Sequence, residues 1–210
     1  MSVQAARPRP ARRGLVAVGA GLTLAWAAAA ACSHVDHRWL ATGYRADAPG
    51  AVKRVGVAVR APSLAGQQGL GEVLGQVAES YVKLQRNYLL PRPPVAGGLE
   101  QACAGERVDG ALLLHALEAA QDGDRATLTL RAELWRCRGP ALLWHAQGHR
   151  SSRVRDPNLD GLTASYRASL GETAARWTAV TFALVQELAG SLPDPVLSDQ
   201  EVEEKIDQGV

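Results

Sequence analysis

Phenylalanine and methionine occur once each in these 210 residues, and aromatic side chains make up only 5%. Any core must therefore be filled mainly by Leu, Val and Ala, within a hydrophobic fraction of 47%. Cysteine occurs three times and never as Cys-x-x-Cys, so no dithiol redox motif is present. Neither a Gly-x-Ser-x-Gly elbow nor a His-Glu-x-x-His helix occurs, which removes the common hydrolase and zinc-protease signatures. Concentrated positive charge is missing as well. The net charge is +2, four arginines precede residue 32 with no acid among them, and six acids follow Pro193 against Lys205 alone. Nothing there makes the basic face that a nucleic acid requires. The length fits one domain with appendages.

The first appendage is legible. Arg7, Arg9, Arg12 and Arg13 lead into the uncharged run Gly14 to Ala31, which ends in small residues. A basic start, an apolar middle and a small-residue end form a secretory signal peptide, here residues 1–31. The run is short and alanine-rich for a membrane span. Arg12-Arg13-Gly14-Leu15-Val16 also resembles a twin-arginine export signal, so both export routes stay open. Ala29-Ala30-Ala31-Cys32-Ser33 resembles the lipobox of bacterial lipoproteins, departing from it at Ala29, where that family has Leu. The resemblance implies cleavage before Cys32, a diacylglycerol on its sulfur, and membrane attachment through two or three acyl chains, each methylene adding about 0.8 kcal/mol. Ser33 after the cysteine implies the outer membrane, with the protein facing the periplasm. Cys32, His34 and His37 have a metal-like spacing, but a site needs preoriented ligands. They are read as part of a tether over residues 32–52, with no metal.

From Lys53 the pattern becomes that of a packed domain, residues 53–192. "KRVGVAVR" reads as a buried strand. Leu70, Val73, Leu74, Val77, Tyr81 and Leu84 mark one face of a helix over 67–86. "NYLLP" is expected as a short strand and residues 99–104 as a brief helix. "VDGALLLHALEA" is apolar on both faces, as a central strand is. The Asp122-Gly123 turn and the Arg138-Gly139-Pro140 turn join it to "ATLTLRAELW" and "ALLWHAQGHR" in an antiparallel meander. A long helix is expected over 162–191, with its apolar stripe running from Tyr166 to Leu188 and a weak point at Gly171. The acidic stretch 193–210 reads as a disordered tail.

The expected fold is a single α/β domain with a mixed five-stranded sheet in the order β-α-β-α-β-β-β-α. That order over residues 53–191 resembles the penicillin-binding-protein activator lipoproteins and the amino-terminal domain of the Tol-system propeller protein. An uncharacterised family of bacterial lipoproteins shares the lipobox, the "VDGALLL" strand and the final helix. An export and anchor signal joined to a domain without catalytic motifs leads to the expectation of a non-enzymatic accessory that binds an envelope protein and carries no cofactor. An auxiliary subunit of an envelope transport system, or an exported enzyme with a scattered site, are the alternatives.

Four groups of residues carry candidate chemistry. Cys103 and Cys137 would form a disulfide in an oxidising compartment, worth roughly 3 kcal/mol. "GQQGLGEVLG" has its glycines in the reverse of the dinucleotide order and no P-loop lysine. His115, Glu118, His145 and His149 fall on strands and would make a zinc or acid/base site only if neighbouring strands bring them together; for His115, mid-strand in an apolar run, a hydrogen-bonded core histidine is the commoner finding. Trp135 and Trp144 are expected opposite each other about the 138–140 turn, near Arg131 and Glu133. They would be a partner-binding patch if the face of Thr127, Thr129, Arg131 and Glu133 is open.

Overall fold

A computed structural model describes residues 35–61 and 67–208. Six strands form one mixed sheet: β1 (Val35–Leu40), β2 (Val55–Arg60), β3 (Val95–Ala96), β4 (Gly110–Asp122), β5 (Arg125–Arg136) and β6 (Ala141–Arg153), in spatial order β1-β6-β5-β4-β2-β3. β4, β5 and β6 are the expected antiparallel meander, and β2 runs parallel to both β4 and β3. The class is α/β with a mixed sheet in one domain, but the sheet has six strands rather than five. The additional strand is β1, which pairs antiparallel with β6 from within the stretch read as a tether. "NYLLP" contributes only one bridge, Leu89 to Arg54, before the chain returns to the same edge as β3.

Helix α1 (Leu70–Gln85) buries Leu70, Val73, Leu74 and Val77 as its spacing predicts, but Ala78 and Val82 complete the face and Leu84 is exposed. The expected final helix is instead α3 (Asp160–Leu170), α4 (Glu172–Ala175) and α5 (Thr178–Ala189). The break falls at Gly171, whose φ of 92° is open to glycine and strained for other residues. Burial of Tyr166, Ala174, Trp177, Leu184 and Leu188 continues across the break. These helices and α1 cover one face of the sheet, closing over Val57, Leu112, Leu128, Leu130, Leu134 and Trp144.

The opposite face receives only α2 (Leu99–Cys103), which lies on β2 and β4. Gly56 is required for that approach, because a Cβ there would stand 1.9 Å from the carbonyl oxygen of Ala102. Ala58, Ala102, Ala111 and Leu113 form the small core beneath. The Cys103–Cys137 disulfide joins α2 to the end of β5 across 34 residues of sequence.

The segment read as a disordered tail holds α6 (Asp199–Asp207), so disorder is corrected for the described part of it. Its order comes from a Ser198 capping box and from ion pairs with the start of β2, neither of which leaves an apolar periodicity to read. No helix among the described residues is long and apolar enough to cross a membrane. Residues 1–34, including the apolar run, Cys32 and His34, lie outside the described residues.

Candidate functional site

Strand alternation places one set of side chains under the helices and the other on the uncovered face. Registry across β1, β6, β5 and β4 resolves that second set into rows. One row is Trp39, His145, Glu133 and Leu113; the next is His37, Gln147, Arg131 and His115. Trp135 stands one step further along β5, beside Leu142. No described element lies over the rows on β1, β6 and β5.

The tryptophan pair does not form as the sequence suggests. A β-bulge between Leu134 and Trp135 shifts the register, so Trp135 faces Leu142 and Trp144 faces Leu134. A one-residue shift sends a side chain to the other face of a sheet. Leu143 and Trp144 are consecutive yet both buried in the main core, with Trp144 only 1% exposed. Trp144 therefore leaves the candidate patch, and Trp135 and Arg131 remain in it. Trp39 takes the vacated role: at 40% exposure it stacks on His145 with ring centroids 5.5 Å apart. His37 approaches the same ring at 5.2 Å.

Polar groups fix this surface laterally. The Arg131 Nε donates to Gln147 Oε1 at 3.0 Å, and the Trp135 indole N–H donates to Glu133 Oε2 at 2.9 Å. His149 Nδ1 lies 2.9 Å from Asp36, and Thr129 donates to Glu118 at 3.1 Å. His115 Nε2 comes no closer than 3.9 Å to Glu133 and has no hydrogen-bond partner. Burial lowers the pKa of His115 against the opposing effect of Glu133, while Arg60 and Arg131 add to the lowering. His145 is lowered too, by burial first and then by His37. His37, His115, His145 and His149 thus share one face, a grouping hidden in sequence because they come from three strands.

No three His, Cys, Asp or Glu side chains converge to hold a metal among the described residues. A separate concavity of about 1030 Å³ opens at the carboxyl ends of β2 and β3, beside the start of α1. Crevices at such strand ends are common ligand sites. Here Glu72 puts a carboxylate in the first turn of α1, opposing a phosphate at that terminus. The glycine-rich stretch thus serves as the entry to a helix.

Fold and surface together define a single α/β domain with one sheet face packed under helices and the other left largely open. No family model matches the chain, and no curated protein matches it. Among solved structures it is similar to the PelC dodecamer of Paraburkholderia phytofirmans, at 11% identity over 72% of this chain and 94% of that chain, with a TM-score of 0.40. A single-substitution variant of that protein gives 12% identity, 72% and 97% coverage, and again a TM-score of 0.40. A hypothetical protein of Chlamydia trachomatis gives 13% identity, 64% and 92% coverage, and a TM-score of 0.37. At this degree of likeness nothing about the function of this chain follows from them.

Proposed function

We propose that this chain is a lipid-anchored protein of the cell envelope whose α/β domain docks an envelope protein through the uncovered face of its sheet, without catalysing a reaction. The observation that carries the docking surface is the cluster of Trp39, His145 and His37, flanked by Trp135 and Arg131, on the face where α2 is the only described helix and lies over β2 and β4. Tryptophan and arginine are the residues that most often dominate binding energy at protein interfaces. Hydrogen bonds to Gln147 and Glu133 hold Arg131 and Trp135 in place, which lowers the entropy lost on contact. The Cys103–Cys137 bridge accords with an oxidising compartment, as expected if residues 1–31 direct export and Cys32 receives the anchor on the outer membrane.

Intact-mass measurement of the mature protein tests the anchor: cleavage before Cys32 with a lipid adduct is expected, and an unmodified amino terminus elsewhere would overturn it. Chemical crosslinking in envelopes tests the accessory role. One stoichiometric protein partner is expected, whereas recovery within a transport complex would make the chain an auxiliary subunit of that system.

A further inference from the structure

Helix α6 is built inside out. Positions 201, 204, 205 and 208 lie on the stripe that a packed helix normally makes apolar, and here they are Glu, Glu, Lys and Gln. Val202 and Ile206 point the other way and are 44% and 60% exposed, with Val196 exposed before them. No residue of α6 is buried.

The polar stripe has a matching receptor. Lys53 Nζ meets Glu201 at 2.7 Å, and Arg54 meets Glu204 at 2.6 Å and Glu201 at 3.4 Å. Beside them Tyr88–Leu90 behaves as a strand stub. Inward, Leu89 N–H donates to Lys53 O and Leu89 O accepts from Val55 N–H, each at 2.9 Å. Outward, Tyr88 O and Leu90 N–H are the groups that another strand would pair. Instead Lys205 Nζ donates to Tyr88 O at 2.9 Å, and Leu90 N–H donates to Gln208 Oε1 at 3.0 Å. The helix thus occupies an otherwise open sheet edge, using only charge and hydrogen bonds. An open edge is a template for pairing with another chain.

The chain is anchored up to Asp194, which accepts from Asn87 N–H at 2.9 Å and pairs with Arg86. Residues 195–197 then connect to the Ser198 cap. We propose that α6 and this receptor are an exchangeable pair, and that α6 of one copy docks on the Lys53, Arg54 and Tyr88–Leu90 edge of a second copy to make a swapped dimer. Three observations name a second copy as the occupant. The complementary stripe belongs to this same chain; α6 itself contributes no buried residue; and Val196, Val202 and Ile206 are left exposed in the closed form, free to meet a second copy. Reciprocal exchange closes as a two-fold dimer.

Two full-length variants in detergent test this. One carries Lys53→Ala with Arg54→Ala and keeps its helix; the other carries Glu201→Lys with Glu204→Lys and keeps its receptor. Each loses the ion pairs that close α6 on its own chain. Native mass spectrometry should show each alone as a monomer and their equimolar mixture as a heterodimer. A mixture that stays monomeric would overturn the proposal. Should either variant lose its fold by circular dichroism, the full chain stopped after Asp194 is titrated with a labelled peptide of residues 195–208. Saturable binding that weakens roughly tenfold between about 0.05 M and about 0.5 M salt is expected; no binding, or binding indifferent to salt, would overturn exchange.

Discussion

The two faces of the sheet are made by the same strands and differ in almost every other respect. On one, Leu128, Leu130, Leu134 and Trp144 are sealed beneath α1 and α3 to α5. On the other, Thr129, Arg131, Glu133 and Trp135 alternate with them along β5, and beyond α2 they meet no described helix. Alternation with a period of two therefore divides one strand into two sets: the buried set supplies stability, and the other set stays at the surface. The contrast also shows why Trp144 and Trp135, nine positions apart in one hairpin, have different fates.

Substitutions break the comparison in order of size. Trp144→Ala removes a fully buried indole and should cost about 3–5 kcal/mol in urea or guanidinium unfolding. Separating Cys103 from Cys137 by Cys103→Ala, with Cys137→Ala, should cost about 3 kcal/mol, and reductant should destabilise the parent but leave the double variant unchanged. Trp39→Ala with Trp135→Ala should shift stability by no more than about 1 kcal/mol, because both are partly solvated. If the open face is the docking surface, that same pair should reduce partner capture at least roughly tenfold.

Acid sharpens the contrast further. His115 has its folded pKa below its ordinary 6.5, so the unfolded chain takes up the proton first. Its contribution is present above 6.5 and is lost as pH falls below that value towards the folded pKa. His115→Gln should flatten that part of the stability profile. Glu201 responds in a lower window. Burial works against its carboxylate, but hydrogen bonds from Lys53 and from the Ser198 N–H and hydroxyl outweigh this and hold its pKa down at about 2. Its stabilisation is present above the ordinary value of 4.5 and is lost as pH falls through about 2, with Lys53, Arg54 and, through Arg54, Asp109 as the facing charges. Hydrogen exchange at Val202 and Ile206 should accelerate in that lower window before the amides of β5 do.

The parts of the fold that rest on apolar periodicity were legible: the meander from 110 to 153, the central position of β4, the face of α1 up to Val77, and the weak point at Gly171. The Cys103–Cys137 bridge was expected too, as the pairing of the two cysteines within the domain. What was illegible has other physical origins. The bulge beside Trp135 depends on one residue's displacement and leaves no mark in alternation. β1 carries His37, Arg38 and Trp39 because it is an edge strand with an open face, so it reads as polar linker. α6 is ordered by ion pairs and a cap, and its stripe is the polar one, so a search for apolar spacing passes over it. The histidine grouping needed the strand order β1-β6-β5-β4, which no local pattern supplies.

Docking through the open face is tested most directly by placing a photo-crosslinking amino acid at Trp39 and, in a separate protein, at exposed Ala168 of α3 on the helical side, then irradiating intact envelopes. The account predicts one discrete protein adduct from position 39 and none from position 168. An adduct from position 168 with none from position 39 would contradict it.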